Sequence, residues 1–275
     1  MREVGVKLYR WVGRILVVGL VSPTIHAGAA ELQPRTLAAF DRYVQLTEAR
    51  LSSNAPFLWI DGLPEARRRD ALETVRRKAL AIERVTTKDR GREIDVPDGI
   101  IHHWIGTAFV RSATVDQVVA LLQDYDAHQR IYAPAVAASK LRSRDGNHFT
   151  VYLRFLMTKV KTVVVNSEHD ARFTRPAPDR AEGWIHSTRI AQVDEAGTPR
   201  EHEKPGGNDD GYLWRLNTYW RVQARDEGVY IHCESVSLSR AIPIGLGWLI
   251  GPFVTGIPRE SLTFTLETTR RQLEQ

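Results

Sequence analysis

The stretch GVYIHCESVSLSRAIPIGLGWLIGPFVTGIPRESLTFTLETTRRQL, Gly228 to Leu273, holds three textures in a row. Gly228 to Arg240 is rich in β-branched and aromatic residues and reads as a strand. Between Arg240 and Arg259 no charged residue occurs. From Pro258 the text turns helical, with Leu262, Leu266, Thr269 and Leu273 on one face and the proline suited to a first helical turn. The apolar run in the middle reads as a membrane span, a core element or a lid over an apolar pocket. Ile242 to Pro258 sits at the low end of the ~17–25 residues a span needs. Pro243, Gly245, Gly247, Gly251, Pro252 and Gly256 would interrupt a spanning helix repeatedly. The run is therefore expected as a loop between the last strand and the last helix. Trp248, Leu249, Ile250, Phe253 and Val254 are more apolar than an exposed loop needs, so they are expected to fold over a neighbouring surface as a lid.

Working upstream, a row of strand candidates leads to this stretch: VAASKLRS, HFTVYLRFLM, KTVVVNSEHDARF, GWIHSTRIAQV and GYLWRLNTYWRVQA. Turn-like breaks separate them, among them Arg144 to Gly146, Pro176 to Pro178, the polar insert EHEKPGGNDDG ending at Gly211, and Asp226 to Gly228. IIHHWIGTAFV, Ile100 to Val110, is a further strand before this row. Thr114 with Gln117 forms a capping box opening a helix over TVDQVVALLQDY, and a shorter helix is expected from Asp126.

The N-terminal part differs. Residues 1–30 read as a secretory signal, with Lys7, Arg10 and Arg14 ahead of an apolar core and Ala27-Gly28-Ala29 ahead of cleavage near Ala29/Ala30. A periplasmic or secreted location follows from that reading. Residues 31–98 read as a helical extension and linker. Leu37, Phe40, Val44, Thr47 and Leu51 mark one helix from Pro34 to Leu51, and Leu72, Val75, Ala79 and Ile82 mark a second from Pro64 to Val85. Its arginine clusters are interleaved with Glu65, Asp70, Glu73 and Glu83, which suits a solvated face. Thr86 to Gly99 reads as linker. The formal charge of +5 includes Arg2, Lys7, Arg10, Arg14 and Glu3. Without them the chain carries about +2, which does not call for a nucleic-acid partner. Cys233 is the single cysteine, so neither an intrachain disulfide nor a multi-cysteine metal site is possible.

The element order of residues 99–275 resembles the helix-grip fold of the START-related lipid-transfer and polyketide-cyclase-like superfamily. The resemblance rests on GIIHHWIGTAFV followed by ATVDQVVALLQDYD near the start, and on the quoted stretch at the end. It implies an α+β domain in which a curved antiparallel sheet of about seven strands wraps a long C-terminal helix. It also implies a cavity between sheet and helix for an apolar small molecule or lipid, with no cofactor.

Strand alternation names the residues for such a cavity. Phe149, Val151, Leu153, Phe155 and Met157 share one face; Tyr212, Trp214, Leu216, Trp220 and Val222 share another, with Leu262 and Leu266 facing them from the helix. A solid core and a ligand cavity both fit this pattern. Arg189 and Glu234 are candidates for a buried pair that orients a polar head group, with a bulge or a polar inward residue expected near Glu234. His103, His186 and Glu234 are the candidate acids or bases for an enzyme on the same fold. Catalytic motifs such as GxSxG, HExxH and the P-loop are absent, and the histidines lack metal-ligand spacing. The expected function is thus an exported carrier of a lipid, isoprenoid or polyketide-like molecule, with transient membrane contact through loop 242–258. A cyclase- or hydrolase-type enzyme and a filled-core interaction module are the alternatives.

Overall fold

The computed structural model describes residues 30–53, 55–158, 162–241 and 247–275, the side chains of 30 and 247–255 excepted. The expected signal lies outside the described residues. A short strand β1 (Ala30–Glu31) leads into helix α1 (Pro34–Leu51), a 3₁₀ turn at Trp59–Gly62 and helix α2 (Glu65–Arg76). Strand β2 (Ala81–Arg84) and a small hairpin of β3 (Lys88–Asp89) and β4 (Arg92–Glu93) follow. Then come β5 (Gly99–Arg111), α3 (Val115–Gln123), a 3₁₀ turn at Tyr125–Ala127 and α4 (His128–Ile131). The meander is β6 (Val136–Asp145), β7 (His148–Thr158), β8 (Thr162–Ala177) and β9 (Arg180–Asp194). The polar insert adds β10 (His202–Glu203) and β11 (Asn208–Asp209) before β12 (Arg215–Arg225), β13 (Gly228–Arg240) and the long helix α5 (Gly247–Leu273).

The main sheet runs β2-β5-β13-β12-β9-β8-β7-β6, antiparallel throughout, with β10 attached to β9. It is a large curved sheet with the C-terminal helix on one face, the helix-grip layout. All seven strands read from the sequence are in it. Between its concave face and α3 and α5 lies the main core, with Ala108, Val118, Leu122, Phe149, Val151, Trp220, Ile231, Leu262 and Leu266 buried. Each fully buried leucine or isoleucine there contributes about 1.5–3 kcal/mol. The helix lies close on β5 because residue 106 is glycine: a Cβ there would come within 2.6 Å of Leu266 Cδ1. α3 starts with the expected capping box, Gln117 N donating to Thr114 Oγ1 at 3.2 Å and Thr114 N to Gln117 Oε1 at 2.8 Å. Such a box is worth about 1 kcal/mol.

The outer face of the sheet is covered too. α1 packs Phe40, Tyr43 and Leu51 against Trp214, Tyr219, Val236 and Leu238. The segment from Leu58 through Ala81 packs on Phe109 and Tyr230. Three layers result, with the sheet in the middle.

Four expectations are corrected. The second helix ends at Arg76 rather than Val85, because residues 81–84 pair with Trp104 to Thr107 as an edge strand. The stretch read as linker contains the β3–β4 hairpin, turned by Arg90 and Gly91 at positive φ. Residues 247–258, expected as loop, form the first part of α5, which continues through Pro252 and Pro258. Extending an existing helix costs far less than nucleating one, and that offsets the loss of a donor at each proline. Of the two alternatives at Glu234 the bulge does not form, since β13 pairs without interruption on both sides, and Glu234 is a polar residue buried at 0% exposure. The mixed polarity that suggested a bulge reflects burial of both faces of this strand.

Candidate functional site

Strand β7 shows how the concave face changes along its length. Phe149 and Val151 are sealed in the main core at 1% and 0% exposure, while Leu153, Phe155 and Met157 on the same face are half-buried. Neighbouring strands repeat the change. On β12, Trp220 and Val222 are buried but Leu216 and Thr218 are half-buried; on β9, Gly183 is buried but Ile185 and Ser187 are not. Trp104 of β5 and Ser235 of β13 are likewise half-buried. Their paired registers place these residues on one surface, next to the sealed core that carries Leu262 and Leu266. Met157 and Leu216 also pack on a satellite cluster of Val163, Val165 and Ile190.

Two aromatic residues expected on this face lie elsewhere. Tyr212 is 46% exposed, and Trp214 packs on the outer face with Phe40 and Leu238. β12 begins only at Arg215, after Gly211 at φ +77°, so strand alternation does not extend back to them. The Trp214 indole donates to Asp209 Oδ1 at 3.0 Å. The side chains of Trp248, Leu249, Ile250 and Phe253 lie outside the described residues.

His103 and Glu234 are brought together on the outer face beneath α1, and His186 lies on the same face with Glu48 as its partner. His103 Nδ1 is 2.9 Å from Tyr43 Oη, and its Nε2 is 2.6 Å from Glu234 Oε1. Arg50 Nη2 donates to the same oxygen. Tyr43 Oη accepts from Thr87 N at 2.7 Å, so its own proton serves His103 Nδ1, and His103 Nε2–H donates to Glu234. Alongside, Glu48 Oε1 contacts His186 Nε2 at 2.8 Å and accepts from Tyr219 Oη at 2.8 Å.

Burial raises the Glu234 carboxyl, but the hydrogen bond from His103 and the nearby charges bring it down to about 2. Burial pushes His103 down against the pull of Glu234. Glu48 is raised by burial and lowered further by His186 and Tyr219, ending below its ordinary value. His103 and Glu234 are 2% and 0% exposed, and both imidazole nitrogens are engaged. This arrangement ties α1 to the sheet and leaves His103 no free nitrogen for a substrate proton.

The anticipated Arg189–Glu234 pair does not form. Arg189 is exposed and pairs with Glu203, because it faces the polar insert rather than the core. Cys233 is buried in the main core, and burial pushes its thiol up, so it is a packing residue rather than a nucleophile. Among the described residues no group of three or more His, Cys, Asp or Glu side chains could hold a metal ion, and no helix is long and apolar enough to cross a membrane. A residue that alternation alone could have named is His169, on the concave face of β8 beside Phe155. Its polar neighbours Glu168 and Asp170 hid it.

Sequence comparison matches the chain to no protein-family profile and to no curated protein. Solved structures with a similar course of chain include a STAR-related lipid transfer protein from Xanthomonas axonopodis. It is 18% identical, with a TM-score of 0.45, covering 70% of this chain and 99% of that one. The Zhui aromatase/cyclase from Streptomyces is 15% identical, with a TM-score of 0.42, covering 64% and 94%. Human STARD10 is 9% identical, with a TM-score of 0.42, covering 69% of each chain. At these values the likeness concerns the layout of the chain and carries no statement about ligand or activity.

Proposed function

We propose that this protein is an exported carrier that takes up an apolar molecule, a lipid, isoprenoid or polyketide-like compound, on the concave face beneath α5. The observation that carries the reading is the half of that face left open. Leu153, Phe155, Met157, Ile185 and Leu216 are apolar and incompletely buried, in register with a core that is otherwise sealed. Apolar area of this kind gains roughly 25 cal/mol per Å² when a ligand covers it. The few polar groups among it, Ser187, Thr218 and Ser235, are neutral and suited to orienting an uncharged molecule. Residues 242–258, which join β13 to the body of α5, serve as the cover whose displacement admits the ligand and touches the membrane that supplies it. Residues 1–30 direct export, and residues 31–98 add an outer layer and the edge strand β2 to a domain spanning 99–275.

Native mass spectrometry of the protein purified from a bacterial envelope, followed by organic extraction, tests this reading. A stoichiometric apolar molecule that is lost in Phe155→Asp, with the fold retained by circular dichroism, is the expected result. A clean apo mass together with no uptake of fluorescent lipid would overturn it.

A further inference from the structure

Resting on that carrier reading, one residue on the concave face specifies more about the ligand. β8 sets His169 between Val151 of β7 and Ser187 of β9. The residue is 2% exposed and stands edge-on to Phe155 at 6.2 Å between ring centres. Its Nε2 lies 2.9 Å from Ser167 Oγ. The Ser167 hydroxyl has a single proton, and it is committed to the Leu153 carbonyl oxygen at 3.0 Å. At His169, Ser167 Oγ is therefore the acceptor, and the imidazole carries its proton on Nε2. Burial holds the ring down to about 4, so it stays neutral at ordinary pH. Nδ1 is left as a bare lone pair, buried and without a hydrogen-bond partner among the described residues.

A buried acceptor without a donor is costly, and buried polar atoms in folded proteins are nearly always paired. Ser187, paired with His169 across the β8–β9 ladder, does not fill the gap, because no hydrogen bond joins its hydroxyl to His169. The site calls for a donor from outside the chain, in apolar surroundings made by Val151, Leu153 and Phe155. We propose that His169 Nδ1 accepts a hydrogen bond from a hydroxyl group of the bound molecule, so that the protein selects apolar alcohols or phenols over ethers and esters of the same size. A carbonyl cannot satisfy this nitrogen because it brings no proton. A carboxylate would bring a negative charge against a lone pair.

The probes are 1-hexadecanol and its methyl ether, titrated into the full-length protein labelled with ¹⁵N-histidine. The free protein should show Nε2 protonated and Nδ1 bare. Hexadecanol should bind about tenfold tighter than the ether and shift the Nδ1 resonance, whereas the bound ether should leave that resonance in place. His169→Phe should bind both probes equally. Because the resonance is read in the unaltered protein, the test stands even where that variant fails to fold. Equal binding of alcohol and ether with an unmoved Nδ1 signal, or a free protein protonated on Nδ1, would overturn the role of His169 while leaving the carrier reading intact. Binding of neither probe would count against the carrier reading itself, and the hydroxyl proposal would fall with it.

Discussion

Alternate residues of β13 serve two different interfaces. Ile231 and Cys233 face α5 in an apolar core, while His232, Glu234 and Val236 face the segment that precedes β5. On the outer face the open positions are closed by charge and hydrogen bonds. Arg50, Glu234, His103 and Tyr43 form one chain of contacts, and Arg221 donates to the carbonyl oxygens of Phe57 at 3.0 Å and of Leu51, the last residue of α1. On the concave face the open positions stay open, and the groups there are neutral. A charged network needs complete pairing, because an unpaired buried charge is far more costly than an uncovered leucine. The outer face is therefore the one the chain closes largely by itself, Glu234 Oε2 being left there without a hydrogen-bond partner among the described residues, and the apolar face is the one left for a ligand.

Acid should have the largest effect, and it tests how far both layers depend on neutral histidines. His102, His128, His169 and His232 are all held down to about 4 by burial. Their lowered values mean that below the ordinary histidine value near 6.5 the unfolded chain binds more protons than the folded one. Stability is thus full at neutral pH and falls between about pH 6.5 and 4, by on the order of 1–2 kcal/mol for each histidine at pH 5. Urea denaturation at pH 7 and pH 5 should show the midpoint drop sharply. An unchanged midpoint would mean that these rings already carry charge in the folded state.

Glu234→Ala attacks the outer face alone. It strands His103 without its acceptor and should cost about 3 kcal/mol in denaturation, with ligand uptake unchanged in the folded fraction. Loss of uptake at unchanged stability would instead place the ligand under α1. Phe155→Asp is the converse case: at a half-buried position it should cost about 1 kcal/mol or less of stability while abolishing uptake of fluorescent lipid. The smallest effect belongs to Tyr43→Phe, which removes the hydroxyl shared by His103 and Thr87 and should cost about 1 kcal/mol with no change in uptake.

The concave face was legible in the sequence because it is written locally. Phe149 to Met157 alternate within one strand, and the Thr114 and Gln117 capping box is complete within four residues. The outer face was not, because its meaning depends on partners far along the chain. Glu234 meets His103 only when β13 pairs with β5, and Arg50 only when α1 docks on the sheet, so its polarity looked like an irregularity in β13. Ala79 and Ile82 continue the helical spacing of Leu72 and Val75, yet pairing with β5 draws residues 81–84 into the sheet. Trp214 carries the parity of a concave residue but lies before β12 begins. Non-local pairing decided each of these cases, and periodicity within a window does not report it.

The two faces carry different tryptophans, which offers the most direct test of where a ligand binds. Trp104 is a half-buried residue packed against the concave core, whereas Trp184 and Trp214 belong to the outer cluster. Titration with a brominated fatty alcohol should quench fluorescence in the unaltered protein and in the Trp184→Phe and Trp214→Phe variants, and Trp104→Phe should lower that quenching. Quenching that persists in full without Trp104 but disappears without Trp214 would put the ligand on the outer face and contradict the account.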